Sequence, residues 1–388
     1  MAVSYTHLDV YKRQVLVTAE AFGYGPIITG INIIKNLKMK CSVELIFMGS
    51  GVALEQAKKS DFFQEYIYAE TFNRKDLIAH KDIFLAVDSI LSFENVEGAV
   101  YGVQLGKMVF YVDNLFWMWD VIPKELERTA GYFIVNTFNV LDNLERIGTN
   151  IQNKCLVGPL RNFDVNCDVK IKDRIMVNFG GGESFLIDSQ IVIDYYKNIL
   201  EIIDQCIDEI GVKDVIVCGG SKMIKNLSKE IKLHNYFEFV SFAYDEYLEE
   251  MKQSRYLILS PGLGNMYETL SVEREVFFVP PINYSQYWQL EYYKDNGIVS
   301  NPLNWGDFGW NANIMRFVEE SIGVNQVLDN IKTFLHNHYA KDIVKKRILR
   351  YLNDEFNSRS EKKRYLETIL KDGIEVTTNE IIRRGGIV

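Results

Sequence analysis

Short runs of apolar residues alternate along the chain with longer stretches in which apolar and polar positions repeat with a helical period. The first half contains five such runs: VLVTA from Val15, SVELIFMG from Ser42, DIFLAVDS from Asp82, MVFYVDN from Met108 and YFIVN from Tyr132. Continuous apolar runs are typical of strands with both sheet faces covered. Because amphipathic segments such as IITGINIIKNLK separate the runs, the pattern predicts βαβ units and a parallel sheet.

The alternation starts again in the second half, after the Gly-Pro-containing segment CLVGPLRNFDVNCDVKIKD, which is typical of a linker. The runs that predict strands here are RIMVNFGG, DVIVCGG, FEFVSF, YLILSPG and EVFFVPP. The last segment is highly charged and has a helical period. We therefore predict an α/β fold with two Rossmann-like doubly wound domains facing a cleft, at residues 15–160 and 161–340, and a helical tail at 341–388.

The first residues of the chain do not fit this pattern. The segment VSYTHLDVYKRQ, residues 3–14, matches the translation of a sequencing adapter joined to its own reverse complement. We assign residues 1–14 to this artefact and leave them out of the fold prediction. Residues before Val15 are therefore expected to make no core contacts.

Composition narrows the class of protein. Hydrophobic residues make up 47% of the chain, enough for a large core, and no apolar run reaches the roughly 18 residues of a membrane-spanning helix. A net charge of −9 argues against nucleic acid as a partner. The five cysteines have no C-x-x-C spacing, which favours reduced thiols in a cytoplasmic protein.

Glycines follow a predicted strand in the segment NFGGGES. Gly180, Gly181 and Gly182 stand between that strand and the next helix, and Ser184 follows them. Backbone N–H groups at such a junction, with a helix N-terminus behind them, form a site for anions such as phosphate. A tight strand-to-helix turn would use glycine equally well, so both interpretations stay open.

Two further strand exits combine glycine with polar side chains. In SPGLGNMYETL an acid stands one turn into the next helix, and NYSQYWQLE carries several amides after another strand. An acid cannot hold a phosphate, but carboxylates and amides both suit sugar hydroxyls. The carboxyl edge of an open α/β sheet is where ligands bind. The candidate residues at these exits, with the end of FEFVSF, are Phe242, Gly262, Gly264, Asn265, Glu268, Asn283, Gln286 and Gln289.

The segment from Tyr256 to Gly297 resembles the C-terminal domain of the family 28 glycosyltransferases, the MurG-like group with the GT-B fold. The shared order is strand, Pro-Gly, Glu, strand, Val-Pro, a Gln-containing QYW and a helix ending in Gly. The resemblance implies that Glu268 binds the ribose of UDP and that Gln286 and Gln289 contact the donor sugar, although the family's Gln doublet is absent.

The resemblance extends weakly to the glycine loop and the linker. The family's phosphate loop matches Gly180 and Gly181, but this chain has Gly-Glu-Ser where the family continues with Ser-Gln. The linker motif Asn-Pro-x-Arg resembles Gly-Pro-Leu-Arg, which makes Arg161 a candidate for binding the diphosphate. A solvated linker residue is the alternative for Arg161.

The first half departs further from the family, which has a glycine-rich acceptor loop ending in Gly-His. At that place this chain has Gly23, Tyr24 and Gly25, and no histidine. The remaining candidates come from strand ends: Glu20 and Asp113 as general bases, and Trp117 in DNLFWMWD as a stacking surface for an acceptor. Ordinary loop acids, and a hydrophobic lid or domain-interface plug, are the respective alternatives.

Taken with the resemblance, these residues predict a glycosyltransferase that moves a sugar from a UDP-sugar, or another nucleotide-diphospho-sugar, to an unknown acceptor. The acceptor could be a small molecule, lipid-linked or peptide, with peripheral membrane contact left open. We expect no cofactor, and no ligand spacing predicts a metal site. The alternatives are a UDP-sugar 2-epimerase-like isomerase, which usually needs more histidines, and a non-catalytic nucleotide-sugar binding partner.

Overall fold

The computed structural model describes residues 13–161, 169–182, 186–272, 274–300, 302–355 and 359–386. Within them the chain forms two parallel β-sheets, one in each half, with helices on both faces. The prediction of two Rossmann-like doubly wound domains is confirmed.

The first sheet has seven strands in the order β3-β2-β1-β4-β5-β6-β7, and every neighbouring pair is parallel. The strands are β1 (Arg13–Ala19), β2 (Val43–Gly49), β3 (Glu65–Tyr68), β4 (Ser89–Phe93), β5 (Met108–Asp113), β6 (Gly131–Val135) and β7 (Lys154–Val157). The helices are α1 (Gly25–Lys40), α2 (Gly51–Ser60), α3 (Arg74–Ala79), α4 (Lys81–Ala86), α5 (Val96–Gln104) and α6 (Val140–Ile147). Successive residues of β1, such as Leu16 and Val17, enter separate apolar clusters on the two faces.

One strand prediction in this half is wrong. The run from Asp82 forms α4, and the strand begins only at Ser89. Within α4, Phe84 is buried whereas Leu85 is 47% exposed, so one side of this short segment packs on the protein and the other faces water. A brief apolar run does not distinguish a helix from a strand by its period. The short edge strands β3 and β7 were not predicted.

The second sheet has five parallel strands in the order β10-β9-β8-β11-β12, and all five agree with the predicted runs. They are β8 (Lys172–Asn178), β9 (Val215–Cys218), β10 (Phe237–Val240), β11 (Ser254–Leu259) and β12 (Phe277–Phe278). The accompanying helices are α7 (Ser189–Ile210), α8 (Ser221–Glu230), α9 (Tyr244–Gln253), α10 (Leu263–Leu270) and α11 (Tyr284–Asp295). In each sheet the loops that follow the strands lie at the carboxyl edge, which is the edge where open α/β sheets bind ligands.

The rest of the chain is helical, as α12 (Glu320–Leu335), α13 (His338–Leu352), α14 (Arg359–Thr368) and α15 (Gly373–Gly385). Helices α12 and α13 pack on α7 of the second domain. Helix α15 returns to the first domain, where Arg384 donates hydrogen bonds to the carbonyl oxygens of Ala130 and Asn153, at 3.1 and 2.9 Å. The chain thus crosses between the domains twice, which ties them together.

Strand β1 begins two residues before Val15. The backbone N–H of Gln14 donates to the Asp88 carboxylate at 2.8 Å, and Arg13 forms an ion pair with the same group. Arg13 is exposed and Gln14 half-buried, so these two residues extend the strand without entering the core. None of the helices in the described ranges is both long enough and apolar enough to cross a membrane.

Candidate functional site

A cavity lies between the two domains, where the carboxyl ends of both sheets face each other. It encloses about 1260 Å³ of empty space, part of it open to solvent. Loops that follow β1, β4, β5 and β7 line one side, and loops that follow all five strands of the second sheet line the other. This is the place at which open α/β sheets bind ligands, and the cavity is large enough for a small-molecule site.

The glycine loop after β8 brings the two domains into backbone contact. Gly180 and Gly182 have φ angles of 68° and 64°, in the left-handed region that favours glycine. The backbone N–H of Gly180 donates to the side chain of Asn178 at 2.8 Å. A Cβ on Gly181 would lie 2.6 Å from the Cα of Gly23, in the first domain. Only glycine therefore permits this approach of the two loops.

Arg161, which follows β7 and hydrogen-bonds to α1 of the first domain, forms a buried ion pair with Glu268 of the second domain. The Arg161 Nε atom lies 3.5 Å from Glu268 Oε1, and both side chains are 5% exposed. Arg161 Nη1 also donates to Thr29 Oγ1, at 2.9 Å. Burial raises the pKa of Glu268, and the positive charge of Arg161 opposes that rise. Arg161 is thus no solvated linker residue, and Glu268 lies in the second turn of α10 rather than the first.

The side chain of Asn265 joins the two glycine loops of the second domain. Its Oδ1 atom accepts from Tyr247 Oη at 2.9 Å and from Asn178 Nδ2 at 3.0 Å. Its Nδ2 atom donates to the carbonyl oxygen of Ser260 at 2.8 Å. The network fixes the loops after β8 and β11 relative to each other before any ligand arrives.

The amides at the start of α11 have two different environments. Asn283 caps the helix by accepting from the backbone N–H of Gln286 at 2.9 Å, and Gln286 Oε1 accepts from the N–H of Ile282 at 3.0 Å. Gln289 is 1% exposed, and its Oε1 atom has no hydrogen-bond partner within the described part of the chain. An unpaired buried amide oxygen is costly, so Gln289 is the amide best placed to receive a ligand.

Most of the predicted binding residues line this one cavity. They are Gly23, Tyr24, Gly25, Arg161, Gly180, Gly181, Gly182, Phe242, Gly262, Gly264, Asn265, Glu268, Asn283, Gln286 and Gln289. Ser184 lies outside the described residues, so its role stays a prediction. Gly23 and Gln289 are more than 250 residues apart in the sequence, and both line this cavity because it lies between the two domains.

The two acids predicted as general bases are not among the residues that line the cavity. The Asp113 carboxylate is buried and accepts hydrogen bonds from Leu115 N–H, Trp119 Nε1 and Tyr132 Oη, at 2.8, 3.1 and 2.8 Å. Burial raises the pKa of Asp113 to about 6. Glu20 accepts from Asn95 Nδ2 at 2.8 Å, and burial raises its pKa as well.

Trp117 is also placed elsewhere. Its side chain is 2% exposed, and its ring centroid lies 4.6 Å from that of Phe138. Phe138 in turn contacts Tyr292 of the second domain at 4.6 Å. Of the two interpretations of DNLFWMWD, this packing agrees with a plug at the domain interface, because the ring surfaces already face other aromatic side chains.

Glu94 and Asn114 line the cavity from the first domain and were not among the residues predicted from the sequence. Glu94 follows β4 with a φ of 54°, and its carboxylate accepts a hydrogen bond from Asn114 Nδ2. Burial raises the pKa of Glu94 to about 7. The rule that selected Glu20 and Asp113, an acid at a strand end, would have selected Glu94 had β4 been placed correctly.

Within the described ranges, no group of three or more His, Cys, Asp or Glu side chains converges as a metal site would require. The residues with polar side chains that line the cavity are instead mainly asparagines, glutamines, tyrosines and serines, with Arg161 and the two acids Glu94 and Glu268.

Several solved structures are similar to this chain at low sequence identity. Arabidopsis thaliana UGT89C1, complexed with quercetin, is 10% identical with a TM-score of 0.58, covering 96% of this chain and 99% of that one. A UDP-N-acetylglucosamine 2-epimerase from Rickettsia bellii is 11% identical with a TM-score of 0.51, covering 96% and 99%. MnaA of S. aureus, with UDP, is 14% identical with a TM-score of 0.51, covering 88% and 97%. Neither a family profile nor a curated protein sequence matches the chain.

These similarities define the fold. The two doubly wound domains and the cavity between their carboxyl edges are the GT-B arrangement. The narrower resemblance to family 28 stays a prediction.

Proposed function

We propose that this protein is a glycosyltransferase that moves a sugar from a UDP-linked donor to an acceptor. One observation carries the proposal. A single interdomain cavity unites the glycine loop at Gly180, the Arg161–Glu268 pair, the buried amide of Gln289 and the carboxyl group of Glu94. These groups match the parts of a nucleotide-diphospho-sugar and a reacting acceptor.

The donor would lie mainly against the second domain. Backbone N–H groups of the loop at 180–182 suit the diphosphate, with Arg161 adjacent. Glu268 would accept hydrogen bonds from the ribose hydroxyls, and Gln286 and Gln289 would contact the sugar. Fixed amides and a guanidinium facing the diphosphate stabilise the charge that develops there as the sugar leaves.

The acceptor would be activated from the first domain. Glu94 lines the cavity and its pKa is about 7, close to the value at which a general base works best near neutral pH. Its carboxylate would take the proton of the attacking acceptor hydroxyl or amine. Glu94 thereby replaces Glu20 and Asp113 as the candidate base.

Incubation with labelled UDP-sugars tests the proposal. A transferase releases UDP and places the label on an acceptor, or on water in slow hydrolysis. A 2-epimerase changes the sugar while it stays attached to UDP, and a non-catalytic binding partner binds UDP and releases no product. Calorimetric titration of UDP accompanies the assay, because a protein that binds no UDP contradicts all three functions.

The acceptor can be sought with the same assay. Cell extracts separated into small-molecule, lipid and peptide fractions are added in turn, and the rate of UDP release is compared with that in buffer. A fraction that accelerates release in the wild-type protein and fails to do so with Glu94→Gln contains the acceptor. Equal acceleration in both proteins would contradict the role given to Glu94.

A further inference from the structure

A continuous set of hydrogen bonds connects the donor side of the cavity with Glu94. Arg161 Nη1 donates to Thr29 Oγ1 at 2.9 Å, and Asn114 Nδ2 donates to the same oxygen at 3.2 Å. The Asn114 amide also donates to the Glu94 carboxylate. Thr29 and Asn114 are 0% and 5% exposed, so the bridge is shielded from water between two groups that line the cavity.

The directions of these bonds are fixed by chemistry. An amide nitrogen carries two hydrogens and accepts none, so Asn114 donates to both Thr29 and Glu94. Thr29 uses its own hydrogen to reach the carbonyl oxygen of Gly25 at 2.9 Å. Glu94 must therefore accept, a condition that favours its ionised form and opposes the effect of burial. Asn114 is in this way a positioning residue for the Glu94 carboxylate.

The charges near Glu94 act on its pKa in opposite directions. Arg161 favours the ionised carboxylate, and Asp113 on β5 opposes it. Tyr111, also on β5, is buried in the same region, where burial and the charges of Asp113, Glu94, Glu20 and Glu320 raise the pKa of its hydroxyl. Because the pKa of Glu94 already lies at about 7, a modest change in nearby charge changes its protonation in the neutral range.

We infer that binding of a nucleoside diphosphate next to Arg161 is coupled to protonation of Glu94 across the Thr29–Asn114 bridge, so that UDP binds together with a proton. The inference rests on the proposed function. The diphosphate cancels the positive charge of Arg161 and adds negative charge of its own, and both effects disfavour a second negative charge at Glu94.

The coupling links proton transfer to the departure of the sugar. As the bond between the sugar carbon and the diphosphate oxygen breaks, its electron pair stays on that oxygen and the negative charge there increases. Glu94 becomes more basic at the same stage, when the acceptor oxygen or nitrogen bonds to the sugar carbon and gives up its proton. The proton then stays on Glu94 until UDP leaves, and returns to solvent with its release.

Calorimetric titration of UDP in buffers of different ionisation enthalpy measures the protons taken up per nucleotide. A nearby like charge commonly raises a carboxyl pKa by about one unit or more. At a pH midway between the free and bound values, such a shift corresponds to uptake of about half a proton per UDP. We expect this uptake in the wild-type protein at about pH 7.5 and a decrease in UDP affinity as the pH rises further.

Two matched variants decide which acid takes the proton, because Glu268 also faces Arg161. Uptake should disappear in Glu94→Gln and persist in Glu268→Gln. The reverse result would assign the proton to Glu268 and overturn the inference. The terminal phosphate of UDP titrates equally in both variants, so it cancels in this comparison.

Asn114→Ala provides a second measurement that does not depend on replacing an acid. Without the amide, the ionised form of Glu94 loses a donor, and the pH at which uptake is greatest should increase. If proton uptake were greatest at the same pH in Asn114→Ala as in the wild-type protein, the Thr29–Asn114 bridge would play no part in the coupling. UDP binding without any proton uptake overturns the inference alone, whereas absence of UDP binding overturns the proposed function as well.

Discussion

The two sides of the cavity are supplied with polar groups in different ways. On the second-domain side they come in compact segments, at 178–182, 260–268 and 283–289, each spanning one strand-to-helix junction. On the first-domain side, Glu94, Asn114 and Arg161 come singly from three separate loops. Local sequence therefore specifies most of the proposed donor contacts, whereas folding brings together Arg161, Asn114 and the proposed base Glu94.

The two sides also differ in charge. Glu268 on the second-domain side is held opposite Arg161, so the charges of that pair cancel. Glu94 on the first-domain side has an amide for a partner, and its pKa is about 7. An ion pair with no net charge suits a rigid binding site, whereas an acid with a pKa near neutrality suits proton transfer. The following variants test this division from the largest expected effect to the smallest.

Glu94→Gln should reduce donor turnover by about 10²–10⁴-fold, because it removes the proposed base while preserving the shape of the side chain. Wild-type kcat/KM should decline as the pH falls below about 7, where Glu94 of the free protein becomes protonated. UDP release from UDP-sugars measures both. Asp113→Asn is the control, since Asp113 is not among the residues lining the cavity, and its loss should cost less than tenfold in turnover. Similar losses in the two variants would contradict the role of Glu94.

Glu268→Ala should lower both stability and UDP affinity. It leaves Arg161 buried without its partner, which costs about 3–5 kcal/mol of unfolding free energy. Loss of charge-assisted hydrogen bonds to ribose should weaken UDP binding by about tenfold or more. Denaturant unfolding and calorimetry give the two values.

Asp173→Ala is the matched control for that variant, because Asp173 is 66% exposed in its ion pair with Arg255. Its effect on stability should be about 1 kcal/mol or less. If Glu268→Ala bound UDP as tightly as the wild-type protein, the proposed contact between Glu268 and the ribose would be wrong, even if the variant were less stable.

Gly181→Ala should force the two domains apart, because the added Cβ would lie 2.6 Å from the Gly23 backbone. Strain of this kind typically costs about 1–3 kcal/mol, and UDP affinity should fall with it. Gly306→Ala is the control, since a Cβ there meets nothing within 4 Å. Thermal melts and UDP titrations of both variants make the comparison, and indistinguishable results would mean that the loops need no close contact.

The pH dependence of stability tests the buried acids directly. Glu94 and Glu320 each have a pKa raised from 4.5 to about 7 by burial, so between these values the folded state binds more protons than the unfolded state. Stability is then greatest below about pH 4.5 for these two groups and is lost as the pH rises through 7. The melting temperature should fall between pH 5 and 7.5, and the fall should be smaller in Glu320→Gln. An identical slope in that variant would show that Glu320 does not contribute.

The sequence and the structure agree most closely where one segment supplies both the element and the site. In the second domain all five predicted strands formed, and the glycines and Glu268 that follow them line the cavity. In the first domain a strand was predicted at Asp82–Ser89, whereas β4 spans Ser89–Phe93. Glu94 was therefore not recognised as an acid that directly follows a strand.

By itself the sequence determined the two doubly wound domains and the glycine-containing junctions, because hydrophobic period and backbone conformation depend on neighbouring residues. Only the tertiary structure decided which polar residues share the cavity. It paired Arg161 with Glu268 across 107 positions of sequence, connected Arg161 to Glu94 through Thr29 and Asn114, and buried Asp113 and Trp117 away from the cavity. These contacts depend on how the two domains pack together. The distances and the burial that determine the pKa values of the acids exist only once the domains have packed.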